Sequence, residues 1–164
     1  MKRFILFLLI AIAVSGCKFL ESIISEYGID MSNLSNNEVV VWGTYDQTNG
    51  TRLPNERPMC EPVRPTEDMS RYYSTFIMSE SKAWPRSLSN TDTVRVFVLD
   101  KKQYDETDWD TIRDQYLILQ RYDFAKADLN FLGWHIAYPP TPEMKDIKMW
   151  PSYEEAIKNA ETLK

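Results

Sequence analysis

Residues 93–100 read "TVRVFVLD". Val94, Val96 and Val98 point to one side of an extended chain and Phe97 and Leu99 to the other, with Arg95 the exception. Apolar side chains on both faces mark a central strand buried on both sides. The fold is read outward from it.

Upstream, "VVVWGTY" (39–45) is a second strand by its branched and aromatic residues, and "YYSTFIM" (72–78) a third. Between them Pro54, Pro58, Pro62 and Pro65 each remove a donor and fix φ, which excludes a helix or a central strand and predicts a long, partly extended loop. "SNLSNNE" (32–38) is turn material. Phe19, Leu20, Ile23, Ile24 and Tyr27 have helical spacing, so 18–30 is expected to be a short helix stopped at Gly28. Downstream, Thr107 or Asp108 caps a helix to about Gln115, with Trp109, Ile112 and Tyr116 on one side. "YLILQRYDF" (116–124) reads as a strand and "KADLNFL" (126–132) as a helical turn or two ended at Gly133. "WHIAYP" (134–139) is a strand with Trp134, Ile136 and Tyr138 on one face, closed by Pro139. Pro151 ahead of Ser152-x-x-Glu155 is a capping box and starts a final helix. The expected fold is α+β. Its sheet is mostly antiparallel and can close as a sandwich, with a few short helices and a C-terminal helix.

The chain begins Met1-Lys2-Arg3 and then runs apolar from Phe4 to Val14. That run spans roughly 16 Å as a helix, about half a bilayer core. It is too short for a stable transmembrane helix and suits an export signal. A buried amphipathic helix would need a polar face, and this run has none. It ends in Val14-Ser15-Gly16-Cys17, which resembles the lipobox of bacterial lipoprotein precursors: aliphatic, small, Gly or Ala, Cys. The resemblance implies cleavage before Cys17, a diacylglycerol thioether on its sulfur and a palmitate-class acyl chain on the new amino terminus. Several chains, at about 0.8 kcal/mol per buried methylene, anchor lastingly where one would not. The expected organisation is a signal peptide (1–16), a lipidated N-terminus and tether (17–37), one α+β domain (38–140) and a C-terminal helical extension (141–164).

The mature chain, 164 less 16, has 148 residues, enough for one domain with its own core. Losing residues 1–16 removes Lys2 and Arg3 and no acid, so the charge moves from −5 to −7. An acidic chain argues against nucleic acid and against electrostatic docking on anionic lipid. With Cys17 acylated, Cys60 has no intramolecular partner, so the fold rests on packing.

The stretches "NTDTVRVFVLD" and "WDTIRDQYLILQRYDFAKADLNFLGWHIAYPP" resemble the C-terminal half of small, uncharacterised envelope lipoproteins of Bacteroidetes-type bacteria. The resemblance implies location and fold and carries over no catalytic residue. Lys18 in place of an Asp after the lipid-bearing Cys favours the outer membrane. "KFLES" lacks the acidic run of surface-exported lipoproteins, which favours the periplasmic face.

Chemistry-bearing residues are sparse. His135 is the only histidine, so it forms no His cluster, and its alternation with Trp134 and Ile136 places it on the solvent side or a sheet edge. Cys60 beside Met59 has no second soft ligand nearby. The acids Asp100, Asp105, Glu106, Asp108, Asp110 and Asp114 lack the Gly and terminal Glu of a calcium loop and read as caps and a solvated face. No nucleophile elbow, P-loop or dinucleotide motif occurs, so no catalytic, metal or cofactor residue is assigned. Aromatics make up 13% of the chain, and Trp42, Trp84 and Trp150 lie near expected strand ends or loops. Most such rings pack cores; exposed ones stack on sugars or anchor a protein partner. The expectation is a non-catalytic envelope interaction protein. A carbohydrate-binding lipoprotein is the alternative, and an envelope hydrolase with paired carboxylates a distant third.

Overall fold

The computed structural model describes residues 28–44, 51–67, 74–77 and 93–162. Cys17, Trp84 and the helix expected over 18–27 lie outside them. Among these residues eight strands form two sheets. The larger contains β2 (Val39–Thr44), β3 (Glu61–Val63), β5 (Thr93–Asp100), β6 (Gln120–Ala125) and β8 (Lys148–Trp150), in the antiparallel order β3-β2-β5-β6-β8. The smaller has β1 (Gly28–Asn33) between β4 (Ser74–Ile77), antiparallel to it, and β7 (His135–Tyr138), parallel to it. Among the described residues four short α-helices complete the α+β fold: α1 (Lys101–Glu106), α2 (Trp109–Asp114), α3 (Lys126–Phe131) and α4 (Tyr153–Thr162).

β5 is central, as its two-faced pattern requires. Val94, Val96 and Val98 join Val39, Val41, Tyr122 and Phe124 in a core shared with Ile29, Met31 and Ile136 of the smaller sheet. Phe97 and Leu99 join Val40, Leu53, Tyr104, Trp109 and Ile112 in a second core under α1 and α2. The larger sheet is thus the middle of three layers, with the small sheet on one side and two helices on the other.

The helices start where side chains can replace missing backbone acceptors. Asp100 Oδ1 accepts from Gln103 N at 2.8 Å to begin α1, and Asp108 Oδ2 accepts from Thr111 N at 3.2 Å to begin α2. In α4 the Ser152–Glu155 box closes both ways: Glu155 Oε2 accepts from Ser152 N at 3.0 Å, and Ser152 Oγ accepts from Glu155 N at 3.4 Å. Gly133 (φ 62°) and Trp134 (φ 62°) turn the chain from α3 into β7 through the left-handed region. The proline-rich segment is strapped across α1 and α2. Trp109 Nε1 donates to Pro54 O at 3.1 Å, Tyr104 Oη donates to Pro58 O, and Arg57 reaches Tyr104 O (3.0 Å) and Thr107 O (2.6 Å). Arg57 also lies 5.0 Å above the Tyr104 ring.

Three expectations need correction, and one helix was not foreseen. Gly28–Asp30 are not the end of a helix but the start of β1, and β1 belongs to the domain, not to the tether. Asp30 and Ser32 alternate with the fully buried Ile29 and Met31, which is strand periodicity and not helical. The segment from 141 is not only a helical extension, since β8 is the fifth strand of the larger sheet. The helix expected from Asp108 to about Gln115 is α2, with Asp108 as its cap; Lys101–Glu106 forms a further helix, α1, that was not expected. Residues 116–119 are irregular, and β6 begins only at Gln120.

Candidate interaction face

Strand register places Trp42 opposite Phe97, Phe97 opposite Arg121 and Arg121 opposite Trp150. These four residues form one rung across β2, β5, β6 and β8. Two residues along each strand lies a second rung on the same face: Thr44, Arg95, Asp123 and Lys148. This is the face whose other end is covered by α1 and α2.

The rung mixes packing and exposure. Trp42 is half-buried and stacks on Phe97 with centroids 5.2 Å apart and planes at 27°, so its ring is part of the second core. Trp150 keeps 44% of its surface exposed on the edge strand. Tyr116 supports it from beside, with centroids 5.1 Å apart at 61°. The Tyr116 backbone sits in the left-handed region at φ 54°, and its side chain is pinned at the hydroxyl. That oxygen accepts from Arg121 Nη1 at 2.8 Å and donates to Thr51 O at 2.9 Å. Burial pushes the Tyr116 phenol above its ordinary value, and the bond from Arg121 opposes that shift.

Beside Trp150, Asp123 is buried between two arginines. Its Oδ1 is 3.3 Å from Arg95 Nε and its Oδ2 is 3.2 Å from Arg121 Nη2. A shallow groove of about 680 Å³ runs on from Tyr116, lined by Arg52, Leu53, Asn55, Arg113 and Asp114. Arg113 there is held by Asp110 at 2.6 Å and Asp114 at 2.9 Å. The face therefore offers an aromatic ring, a phenol and a guanidinium in a fixed frame.

The other candidates take structural positions. His135 lies on β7, an edge strand, half-buried, and its Nε2 is 2.8 Å from Ser32 Oγ across the β1–β7 pair. Burial lowers the imidazole pKa below its ordinary 6.5, while Asp30, opposite it in register, pulls the other way. A Ser–His contact is a nucleophilic arrangement in kind, but Ser32 has no exposed surface for a substrate to meet. Cys60 packs against the second core with its Sγ 3.7 Å from Pro58 O. Of the acidic run, Asp100 and Asp108 cap helices, Asp105 pairs with Lys101, and Asp110 and Asp114 flank Arg113. Among the described residues no group of three His, Cys, Asp or Glu is arranged to hold a metal, and no helix is long and apolar enough to cross a membrane.

Sequence reasoning singled out Trp42 and Trp150 but missed Tyr116 and Arg121. The i, i+2 positions of Arg121 and Asp123 on β6 were the available signal.

Residues 1–17 match the model of the prokaryotic membrane lipoprotein lipid attachment site. No curated protein and no solved structure matches the chain.

Proposed function

We propose that this chain, a lipid-anchored cell-envelope lipoprotein by the attachment site matched at residues 1–17, is a non-catalytic interaction module of the outer membrane with its domain on the periplasmic face. The observation that supports this reading is Trp150: an exposed ring on an edge strand, braced by Tyr116 and flanked by Arg121. Trp, Tyr and Arg are the residue types that dominate binding hot spots, because each buries a large rigid surface and keeps a polar handle. The test is cross-linking in intact cells, read by mass spectrometry, with wild type, Trp150→Ala and Cys17→Ala. A single envelope protein captured by the wild type and lost from both variants supports the reading. Capture that survives Trp150→Ala sinks the role of this face.

A carbohydrate-binding role is the second reading, and the same exposed ring favours it, since sugar C–H faces stack on indole. It predicts quenching or a shift of Trp150 fluorescence by soluble envelope glycans, lost in Trp150→Ala.

A further inference from the structure

A separate cleft of about 280 Å³ opens where the two sheets, α1 and α4 meet. It is built from the β1–β2 turn, the β5–α1 junction, the residue before β6, the end of β7 and Ala160 of α4. Its polar wall carries Asn36, Asn37, Asp100, Gln103 and Tyr138, and its apolar wall Leu34, Leu119 and Pro139. Among the described residues no Lys, Arg or His lines it.

The polar wall is fixed from behind. Asn33, wholly buried, donates from Nδ2 to Asn37 O (2.7 Å) and Val63 O (2.8 Å), and its Oδ1 accepts from Ser35 N (3.0 Å) and Ser35 Oγ (2.6 Å). That network sets the turn while leaving the carboxamides of Asn36 and Asn37 unspent. Asp100 uses Oδ1 to cap α1, which leaves Oδ2 for a ligand. Burial, with Asp100 nearby, pushes the Tyr138 phenol up to about 12, so it is a protonated donor at every physiological pH.

We propose that this cleft binds one neutral, hydroxyl-rich ring, a monosaccharide or a single sugar unit of a glycan. Three features select that class. An anion would face the Asp100 carboxylate, with no cation among the described lining residues to balance it. An ammonium would use the acceptors and leave the carboxamide and phenol donors unpaired, at a cost of about 1–3 kcal/mol for each one buried. Hydroxyls both donate and accept, and ring C–H groups lie against Leu34, Leu119 and Pro139. At about 280 Å³ the cleft falls just below the roughly 300–1,000 Å³ of drug-sized ligand sites, room for one ring. The site is distinct from Trp150 and does not rest on the proposed docking face.

The test is a backbone-amide NMR titration of the full-length lipoprotein in phosphocholine micelles. The probes are glucose, galactose and N-acetylglucosamine, with glucose 6-phosphate and ethanolamine as charged counterparts. The expected result is saturable shifts at Ser35–Asn37 and Gln103 for at least one neutral sugar and for neither counterpart. Tyr138→Phe keeps the ring packing, and Asp100→Asn keeps a competent cap; each is expected to weaken binding roughly fivefold or more. Binding by glucose 6-phosphate or ethanolamine overturns the proposal. So do shifts confined to the neighbourhood of Trp150, an affinity unchanged in both variants, or no shift with any sugar.

Discussion

Arg95 and Asp123 stand directly opposite each other on β5 and β6, Nε to Oδ1 at 3.3 Å, with the carboxylate side chain 2% exposed and the guanidinium 12%. Arg121, also 12% exposed, holds the other oxygen. One buried carboxylate thus serves two nearly buried cations. Removing it leaves both without their shared counter-charge in a low-dielectric site, so Asp123→Ala should destabilise the domain by about 3–5 kcal/mol. Asp123→Asn, which keeps the volume and an acceptor, should cost less. Urea unfolding of both variants checks this. A loss below about 1 kcal/mol for Asp123→Ala would mean that water already solvates the guanidinium groups.

The Ser32–His135 contact gives the domain a pH response. Burial lowers the folded-state pKa of His135 below 6.5, so the unfolded chain binds more protons as the pH drops through that value. The sign follows: this contribution is fully present above 6.5 and is lost as the pH falls from there toward the folded-state pKa. The urea midpoint should therefore fall between pH 7.5 and 5.5. The exposed carboxyls of Glu143 and Glu155, held below 4.5 by their hydrogen bonds, titrate below that window. His135→Gln should flatten the difference. A midpoint that rises on acidification would contradict a buried neutral imidazole.

Legibility followed the range of the forces involved. β5, α3, β7 and the Ser152–Glu155 box were readable because each is set by side chains a few residues apart. Pro62 shows the same logic at a boundary. Prolines exclude a central strand, and β3 is an edge strand paired only to β2. β1 was not readable. Its four-residue alternation follows a helical spacing over 19–27, and its partners β4 and β7 lie about 45 and 105 residues away in sequence. β8 has three residues, too few for a period. The Trp42–Phe97–Arg121–Trp150 rung and the cleft each join segments distant in the chain, so register and layer packing create them, and no local pattern announces either.

Ser152 tests the tail alone. Its Oγ and backbone N both meet Glu155 Oε2, at 2.9 and 3.0 Å, on an exposed helix start. Ser152→Ala should cost about 1 kcal/mol. Hydrogen exchange should show faster amides over the first turn of α4, with β5 and β6 protection unchanged. Uniform loosening of the whole domain would instead make α4 part of the main cooperative unit.

Trp42 and Trp150 sit at opposite ends of one rung and should differ in their response to truncation. Trp42 covers Phe97 and belongs to the second core. Trp42→Ala should open a void beside β2 and β5 and cost about 2–3 kcal/mol, below the value for a fully buried ring. Trp150 packs one edge on Tyr116 and leaves 44% of its surface to solvent. Trp150→Ala should cost about 1 kcal/mol or less. Its ring should also be reached by iodide far more readily than that of Trp42. Paired unfolding and fluorescence-quenching measurements on the two variants decide the matter. Equal destabilisation would show Trp150 to be a packing residue and withdraw it as a docking residue, whereas a large loss for Trp42 alone leaves it available to a partner.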